Sequence, residues 1–218
     1  MNNIAIDGPA GAGKSTIAKM AAKKLGYIYV DTGSMYRAMA LYFIRNQISG
    51  DDEASVSKAC ADIDISIEYL NEEQVVLLNG ENVNSLIRTE QIGKMTSDTS
   101  KYKAVREKLL DIQRGLAAKN NVIMDGRDIG TCVLPDAKTK IYLTASSKER
   151  AKRRYKELME KGVTCEIDQI EKDIIARDEQ DMNRKIAPLR QAEDAVYLDT
   201  SDMTIDEVVD EIIKIHAL

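Results

Sequence analysis

The sequence is short of histidine, cysteine, proline and aromatic residues, and the low histidine and cysteine counts each argue against a class of function. It has one histidine, three cysteines, three prolines, one phenylalanine and no tryptophan in 218 residues. The single histidine, His216, lies two residues from the C-terminus. We expect a solvated side chain there, which argues against imidazole catalysis and a histidine-based metal site. Cys60, Cys132 and Cys165 are widely spaced and include no Cys-x-x-Cys pair, which is typical of free thiols in a reducing cytosol.

Long apolar runs and an excess of positive charge are also missing. No apolar run approaches the roughly 20 residues of a membrane-spanning helix, and the N-terminus lacks the basic start of a secretory signal. The net charge of −5 argues against nucleic-acid binding, which usually needs a basic face. No coiled-coil pattern or long apolar edge suggests assembly. We therefore expect a cytoplasmic monomer that binds neither membranes nor nucleic acid.

The order of apolar runs predicts the fold. Strands are predicted where short apolar runs end at turn formers or helix caps, at residues 3–7, 28–31, 122–125, 140–144 and 195–199. Helical patterns separate these runs, including 106–119, 146–161, 166–184 and a last helix opened by a capping box at Thr204 and Glu207. Strands that alternate with helices predict an α/β fold with a five-stranded parallel sheet between helical layers.

Residues 51–100 break this alternation. Segment 63–69 alternates apolar with polar residues, and segment 74–78 is followed by Asn79-Gly80, a strong turn signal. The pattern predicts a small antiparallel insert outside the main sheet.

A phosphate-binding loop follows the first predicted strand. Its sequence, GPAGAGKST, matches G-x-x-x-x-G-K-[ST] in full and precedes a helix. Glycines let backbone N–H groups surround an anion at a helix N-terminus. Lys14 can reach the β- and γ-phosphates of ATP, and the Ser15 hydroxyl can ligate Mg²⁺. The residues expected to bind the nucleotide are Gly8, Pro9, Ala10, Gly11, Ala12, Gly13, Lys14, Ser15 and Thr16.

Other motifs narrow the reaction to a small-molecule kinase. Asn-Lys-x-Asp and Asp-x-x-Gly are absent, which disfavours a GTPase switch, and Leu-Ser-Gly-Gly-Gln is absent, which disfavours a transporter ATPase. A kinase whose acceptor is itself a phosphate needs no general base. It does need fixed cations, because two like charges at 4 Å repel by about 4 kcal/mol at an effective dielectric near 20.

Arginines lie where such cations are needed. Arg37 and Arg127 follow two of the predicted strand ends, and Arg177, Asp181 and Arg184 share one helix face. A second arginine group on the helix 146–161 is expected to form an exposed face, from which a lid arginine could come. Its members are Arg150, Arg153 and Arg154.

Taken together, these segments resemble those of bacterial cytidylate kinases over essentially the full length of the chain. The segments that carry the resemblance are GPAGAGKST (8–16), DTGSMYR (31–37), IRT (87–89), DGRDIGT (125–131) and RDEQDMNR (177–184). The resemblance implies transfer of the ATP γ-phosphate to CMP or dCMP. It also implies a single P-loop kinase domain, with a core at 1–35 and 101–218, an NMP-binding region at about 36–100 and a lid at about 156–168.

The resemblance also implies a role for each matching residue. Lys14, Arg37, Arg127 and Arg184 would form the catalytic set. The acceptor phosphate would be held by Thr32, Arg37, Arg127 and Arg184. The sugar would face Arg177 and Asp181, and cytosine would be read by Ser97, Arg106 and Asp128. Asp125 would orient Mg²⁺ through water. Thr32 stands where other members can carry serine.

Two alternatives remain open at this point. The first is a kinase for a small metabolite without a phosphate, which would need few arginines on the acceptor side. The second is a regulatory module that binds ATP without turnover.

Overall fold

The computed structural model describes residues 1–71, 73–160 and 162–218. Glu72, in the predicted NMP-binding region, and Lys161, in the predicted lid and at the end of the predicted helix 146–161, lie outside the described residues. Among the described residues, no helix combines the length and apolarity needed to cross a bilayer.

The strands form two separate sheets. In chain order they are β1 (Ile4–Asp7), β2 (Ile28–Asp31), β3 (Ile65–Leu70), β4 (Glu73–Leu78), β5 (Glu81–Asn82), β6 (Val122–Gly126), β7 (Thr139–Thr144) and β8 (Val196–Asp199). The larger sheet has the order β2-β6-β1-β7-β8 and is parallel at every described pairing. The five predicted core strands are confirmed, each end within one residue of its predicted position.

Helices cover both faces of the parallel sheet. In chain order they are α1 (Lys14–Leu25), α2 (Thr32–Arg45), α3 (Glu53–Ala59), α4 (Glu90–Thr99), α5 (Lys103–Lys119), α6 (Ser147–Glu160), α7 (Ile167–Asn183) and α8 (Ile205–Ala217). Side chains of β1 alternate between two cores: Ala5 packs with α2 and α5, and Ile4 and Ile6 pack with α1 and α8. The predicted three-layer α/β fold is confirmed.

The smaller sheet is the predicted insert. β3 pairs antiparallel with β4, which pairs antiparallel with the short β5. Asn79 and Gly80 join β4 to β5 with φ of 49° and 82°, the left-handed pair that a two-residue hairpin needs. Apolar residues of the insert, such as Ile65 and Val76, bury into the α2–α5 core.

The C-terminal helix corrects one expectation. α8 opens with the predicted capping box between Thr204 and Glu207. The expectation of a solvated His216 is wrong, because the side chain is only 6% exposed and hydrogen-bonds to Tyr27 and Thr139. A position near the end of the chain does not imply exposure when the helix that carries it packs on the core.

Candidate active site

The phosphate-binding loop connects β1 to α1 through conformations that only glycine adopts easily. Gly8 has φ of 151°, and a Cβ there would lie 1.9 Å from the Leu143 carbonyl oxygen of β7. Gly13 has φ of 85° and caps α1. These two positions therefore let the chain turn sharply and bring backbone N–H groups to the N-terminus of α1, where an anion is favoured.

Lys14, the first residue of α1, is a buried cation. Its Nζ donates a 2.7 Å hydrogen bond to the Pro9 carbonyl oxygen within the loop. Burial and the neighbouring Arg127 lower the pKa of Lys14 well below its usual value, and Asp125 and Asp7 act in the opposite direction. Because β1 and β6 are neighbours with Asp7 opposite Gly126, the loop after β1 and Arg127 after β6 lie at the same edge of the sheet.

A hydroxyl and a carboxylate next to the loop fit a magnesium ion. Ser15 Oγ donates to Asp125 Oδ2 at 2.8 Å, and the Tyr29 hydroxyl donates to Asp125 Oδ1 at 3.0 Å. Burial and the neighbouring Asp31 raise the pKa of Asp125 to about 6. Among the described residues, no three His, Cys, Asp or Glu side chains form a complete metal cage. Magnesium does not need a complete cage of protein ligands, since it usually binds one or two protein oxygens together with substrate phosphates.

Asp128 binds two of the predicted acceptor-side arginines. Its carboxylate accepts from Arg106 Nη2 and, at 3.2 Å, from Arg184 Nη2, and all three side chains are at most 10% exposed. The Arg106 guanidinium also lies over the Tyr36 ring, 5.6 Å from its centre. A carboxylate held this firmly keeps one orientation, which suits recognition of a flat ligand.

Asp181 extends this network to Arg127. Arg127 Nε donates to Asp181 Oδ2 at 2.9 Å, and Arg184 Nη1 lies 3.6 Å from Asp181 Oδ1. Burial alone would raise the pKa of Asp181, but Arg127 and Arg184 hold it below its usual value. The guanidinium groups of Arg127 and Arg184 thus lie on one carboxylate, although Arg184 follows the end of α7 at Asn183 and does not continue the predicted helix.

Arg177 and Arg37 bring positive charge that is less well compensated. Arg177 Nε is buried and has no hydrogen-bond partner within the described chain. Burial and Arg127 lower the pKa of Arg177 to about 10. Arg37 Nη1 donates to the Ile87 carbonyl oxygen at 3.2 Å, and burial and Arg88 lower its pKa. Crowded, incompletely paired guanidinium groups are the chemistry expected around a bound anion.

Two residues predicted to bind the acceptor, Thr32 and Ser97, form hydrogen bonds with other parts of the protein. Thr32 begins α2, and its hydroxyl donates to the Asp125 carbonyl oxygen at 2.7 Å, so its hydrogen is already committed. Ser97, on α4, is half-buried, and its carbonyl oxygen accepts from Gln180 Nε2 at 3.1 Å. The predicted roles of both side chains toward the acceptor stay predictions.

Sequence reasoning missed the function of Asp7 in this site. Its two carboxylate oxygens accept from the backbone N–H groups of Ile129 and Gly130, both at 2.7 Å. These residues begin a single π-helical turn, Ile129–Val133, directly after Asp128. Burial raises the pKa of Asp7 to about 6. The end of β1 thus fixes the backbone next to Asp128, and only the position of Asp7 at a strand end hinted at this.

The expectation of an exposed arginine face on α6 is wrong for Arg150. Arg150 is 6% exposed and donates to the carbonyl oxygens of Ala10 and Ala145. Arg153 is half-buried and donates to the Thr200 carbonyl oxygen at 2.8 Å. Arg154 is exposed as expected and pairs with Glu157.

These features define the class of the protein. A glycine-rich loop between a buried strand and a helix, a buried lysine, a hydroxyl–carboxylate pair and an adjacent arginine cluster are the parts of a P-loop phosphotransferase with an anionic acceptor.

Comparison with known proteins identifies the family. The family model described as cytidylate kinase matches residues 4–217. The cytidylate kinase of Caldicellulosiruptor saccharolyticus is 51% identical over 213 residues, covering 98% of this chain and 94% of the relative. That of Carboxydothermus hydrogenoformans is 47% identical over 212 residues, covering 97% and 96%. The chain therefore belongs to the cytidylate kinase family, whose members phosphorylate CMP and dCMP with ATP.

A solved structure shares the fold. An uncharacterized protein from Eubacterium ventriosum superimposes with a TM-score of 0.54 at 12% identity, covering 98% of this chain and 97% of the other. At this identity the likeness concerns the fold alone.

Proposed function

We propose that this protein transfers the γ-phosphate of ATP to CMP or dCMP, giving CDP or dCDP and ADP, with Mg²⁺. The observation that carries the proposal is the arginine cluster beside the phosphate-binding loop. Arg127 follows β6, which pairs with β1 directly before the loop, and Arg177 Nε is buried without a partner in the described chain. A second phosphate next to the ATP phosphates would supply the missing negative charge.

The donor nucleotide is assigned to residues 8–16. The backbone N–H groups of the loop and Lys14 would bind the β- and γ-phosphates. Ser15 would ligate Mg²⁺ directly and Asp125 through water, and their oxygens are already within hydrogen-bond distance. When bound there, Mg²⁺ would supply positive charge that offsets the negative charge of the transferring phosphoryl group.

The acceptor phosphate is assigned to Arg37, Arg127 and Arg184, with Thr32 at the start of α2. The attacking oxygen of CMP is already an anion, so the site needs positioning and charge stabilisation rather than a base. Arg127 and Arg184 are oriented by Asp181, which binds both. The two guanidinium groups are therefore oriented before the reaction and would need little rearrangement to stabilise the transition state.

Cytosine recognition is assigned to Asp128 and Arg106, with Ser97 nearby on α4. The Asp128 oxygens offer about four acceptor positions, of which the two arginines use two. An exocyclic amine can therefore still donate to Asp128. Uracil would present a carbonyl oxygen to the carboxylate instead, a mismatch that costs more than a missing methyl group. The sugar is assigned to Arg177 and Asp181.

We assign two moving parts and a cellular setting to the same function. The NMP-binding region at about 36–100 and the lid at about 156–168 would close on the substrates and exclude water, which suppresses ATP hydrolysis. The protein would act as a cytoplasmic monomer, with no nucleic-acid or membrane partner.

An acceptor screen tests this proposal. ADP release is measured with ATP, Mg²⁺ and each of CMP, dCMP, UMP, AMP, GMP and dTMP. CMP or dCMP should give the highest kcat/KM, and another best acceptor would overturn the assignment. If no acceptor stimulates ADP release, the protein is a binding module.

A pair of variants of α2 tests the arginine clamp. Arg37→Ala should lower kcat/KM for CMP by at least about 100-fold, because a charge-assisted phosphate contact is lost. The matched control is Arg45→Ala, on the same helix, whose side chain pairs with the exposed Glu81. Equal activity of the two variants would instead favour an acceptor without a phosphate.

A further inference from the structure

We infer that Arg150 is a positioning residue for the phosphate-binding loop, held in place by Asp178. Arg150 lies on α6, outside the segments that match the nucleotide motif, and its side chain is 7% exposed. It donates from Nη1 to the Ala10 carbonyl oxygen at 3.0 Å and from Nε to the Ala145 carbonyl oxygen at 2.9 Å. One buried guanidinium thus joins the loop to the start of α6.

Arg150 contacts the loop at a carbonyl group. For the N–H groups to face a phosphate, loop carbonyl groups must point elsewhere, and buried carbonyl groups need donors. Arg150 is such a donor for Ala10. At Gly11, whose φ is 74°, an added Cβ would lie 3.5 Å from Arg150 Cβ, so the arginine stem packs directly against this turn.

Lys14 supports the same part of the loop from within, through its hydrogen bond to the Pro9 carbonyl oxygen. That support is temporary under the proposed function, because Lys14 must turn toward the phosphates when ATP binds. Arg150 binds a carbonyl oxygen of the loop rather than one of its N–H groups, so this hydrogen bond to Ala10 can persist through the reaction. Arg150 would then keep the loop in shape while Lys14 changes partner.

Asp178 keeps Arg150 in this position. Asp178 Oδ2 lies 2.7 Å from Arg150 Nη1, and its side chain is 10% exposed. Its other oxygen, Oδ1, has no hydrogen-bond partner within the described chain, so the contact with Arg150 holds this carboxylate through one oxygen. Asp178 adjoins Arg177 on α7, so the helix that carries acceptor-side residues also supports the donor loop.

Removing both charges together tests the inference, because breaking one half of a buried pair is strongly destabilising on its own. The variant Arg150→Met with Asp178→Leu replaces the pair by apolar side chains of similar size. Lys152→Ala is the control, since Lys152 is an exposed residue of α6 paired with Glu149. The measurements are the Kd of Mg·ATP by calorimetry, kcat, the KM for ATP and Tm.

We expect the double variant to keep its Tm within a few degrees of the control while the Kd of Mg·ATP rises at least about tenfold and kcat/KM for ATP falls by a similar factor. A purely structural role predicts the opposite: a lower Tm with ATP parameters within twofold of the control, and that result would overturn the inference.

If the double variant does not fold, the single variant Arg150→Lys tests the positioning role of Arg150. A lysine keeps the charge beside Asp178 but lacks the planar fork that serves Ala10 and Ala145 together. We expect at least threefold weaker ATP binding, and unchanged binding would refute the role.

The inference rests on the proposed function only for its kinetic readout. If the wild-type protein does not phosphorylate CMP, the proposed function fails, whereas the calorimetric Kd of Mg·ATP still tests Arg150 independently.

Discussion

The burial of Lys14 disfavours the positive charge of its side chain. Its side chain has little access to water, and Arg127 adds repulsion, while Asp7, Asp125 and Asp181 act in its favour. The folded protein therefore spends stability to keep a cation at this point, as residues at functional sites often do. Bound phosphates would relieve the strain by bringing in negative charge.

Lys14→Met should separate catalysis from stability. We expect kcat to fall by at least about 1,000-fold, because a cation aimed at the transferring phosphoryl group is lost. Tm should stay within a few degrees of wild type or rise, since the variant no longer buries a charge. Thermal unfolding and an ADP-release assay measure both. Lys24→Met, an exposed change on the same helix, is the control, and wild-type turnover in Lys14→Met would contradict the assignment.

Asp128 is the residue at which base selectivity should be most sensitive. Asp128→Asn keeps the shape of the side chain but replaces one acceptor oxygen by a donor. We expect kcat/KM for CMP to fall at least about 100-fold and the ratio of CMP to UMP activity to fall as well, because an amide can donate to the uracil carbonyl. The Kd of ATP should change less than about twofold.

The control for this change is Asp111→Asn, an exposed position on α5. An unchanged preference for CMP over UMP in Asp128→Asn would show that another group reads the base.

At the scale of elements, the insert is attached to the core at the junction between β2 and α2. Gln74, on β4, accepts from the Asp31 backbone N–H at 2.9 Å and donates to the Asp31 carbonyl oxygen and to Ser34 Oγ. These atoms belong to the junction between β2 and α2, the helix that carries Arg37. The small sheet therefore holds the start of α2 in place.

Gln74→Met tests this attachment. We expect the KM for CMP to rise about three- to tenfold with the KM for ATP unchanged, and the free energy of unfolding to fall by about 1–3 kcal/mol because the Asp31 N–H loses its partner. Steady-state kinetics and urea unfolding give these values. Glu73→Gln, the exposed neighbour on β4, is the control. Equal effects on both substrates would show that the insert supports the fold generally.

Elements were predictable from the sequence because their signals are local. The strand β6 is a short apolar run ending at Asp125, and the hairpin at Asn79-Gly80 is set by two adjacent residues that tolerate positive φ. The arginines near strand ends were also predictable, because parallel strands carry their carboxyl ends to one edge. The segmentation into core, NMP-binding region and lid stays a prediction.

Contacts between distant residues were not predictable in the same way. Arg150 meets Ala10 across 140 positions and His216 meets Tyr27 across 189. Each of these side chains has an ordinary sequence context, a charged helix in one case and a chain end in the other. Their burial follows from how the helices dock on the sheet, which hydrophobic periodicity alone does not fix.

At the scale of the whole molecule, His216 fixes α8 against the core in which Ile4 and Ile6 pack with α1. Its two ring nitrogens hydrogen-bond to the Tyr27 hydroxyl at 3.0 Å and to Thr139 Oγ1 at 2.7 Å, and Lys138 Nζ donates to its carbonyl oxygen. The Tyr27 ring also packs edge-on against the imidazole, with 5.5 Å between ring centres. Tyr27, between α1 and β2, and Thr139, at the start of β7, therefore both contact this histidine of α8.

This arrangement predicts a pH-dependent stability. Burial, with Lys138 nearby, lowers the pKa of His216 below its ordinary value of about 6.5. The folded state then binds fewer protons than the unfolded state between the two pKa values, so the contribution of His216 is fully present above pH 6.5 and is lost as pH falls through the folded pKa.

His216→Gln removes the titrating group and keeps a polar side chain. We expect the wild type to be more stable than this variant by about 1–2 kcal/mol at pH 7.5, the worth of one or two buried hydrogen bonds. The difference should shrink as pH falls from 7 to 5, measured by urea unfolding at each pH. Asp7 and Asp125 also titrate near pH 6, but both are present in the two proteins and their contributions cancel in the difference. A difference that stays constant with pH would show that His216 holds α8 by packing alone.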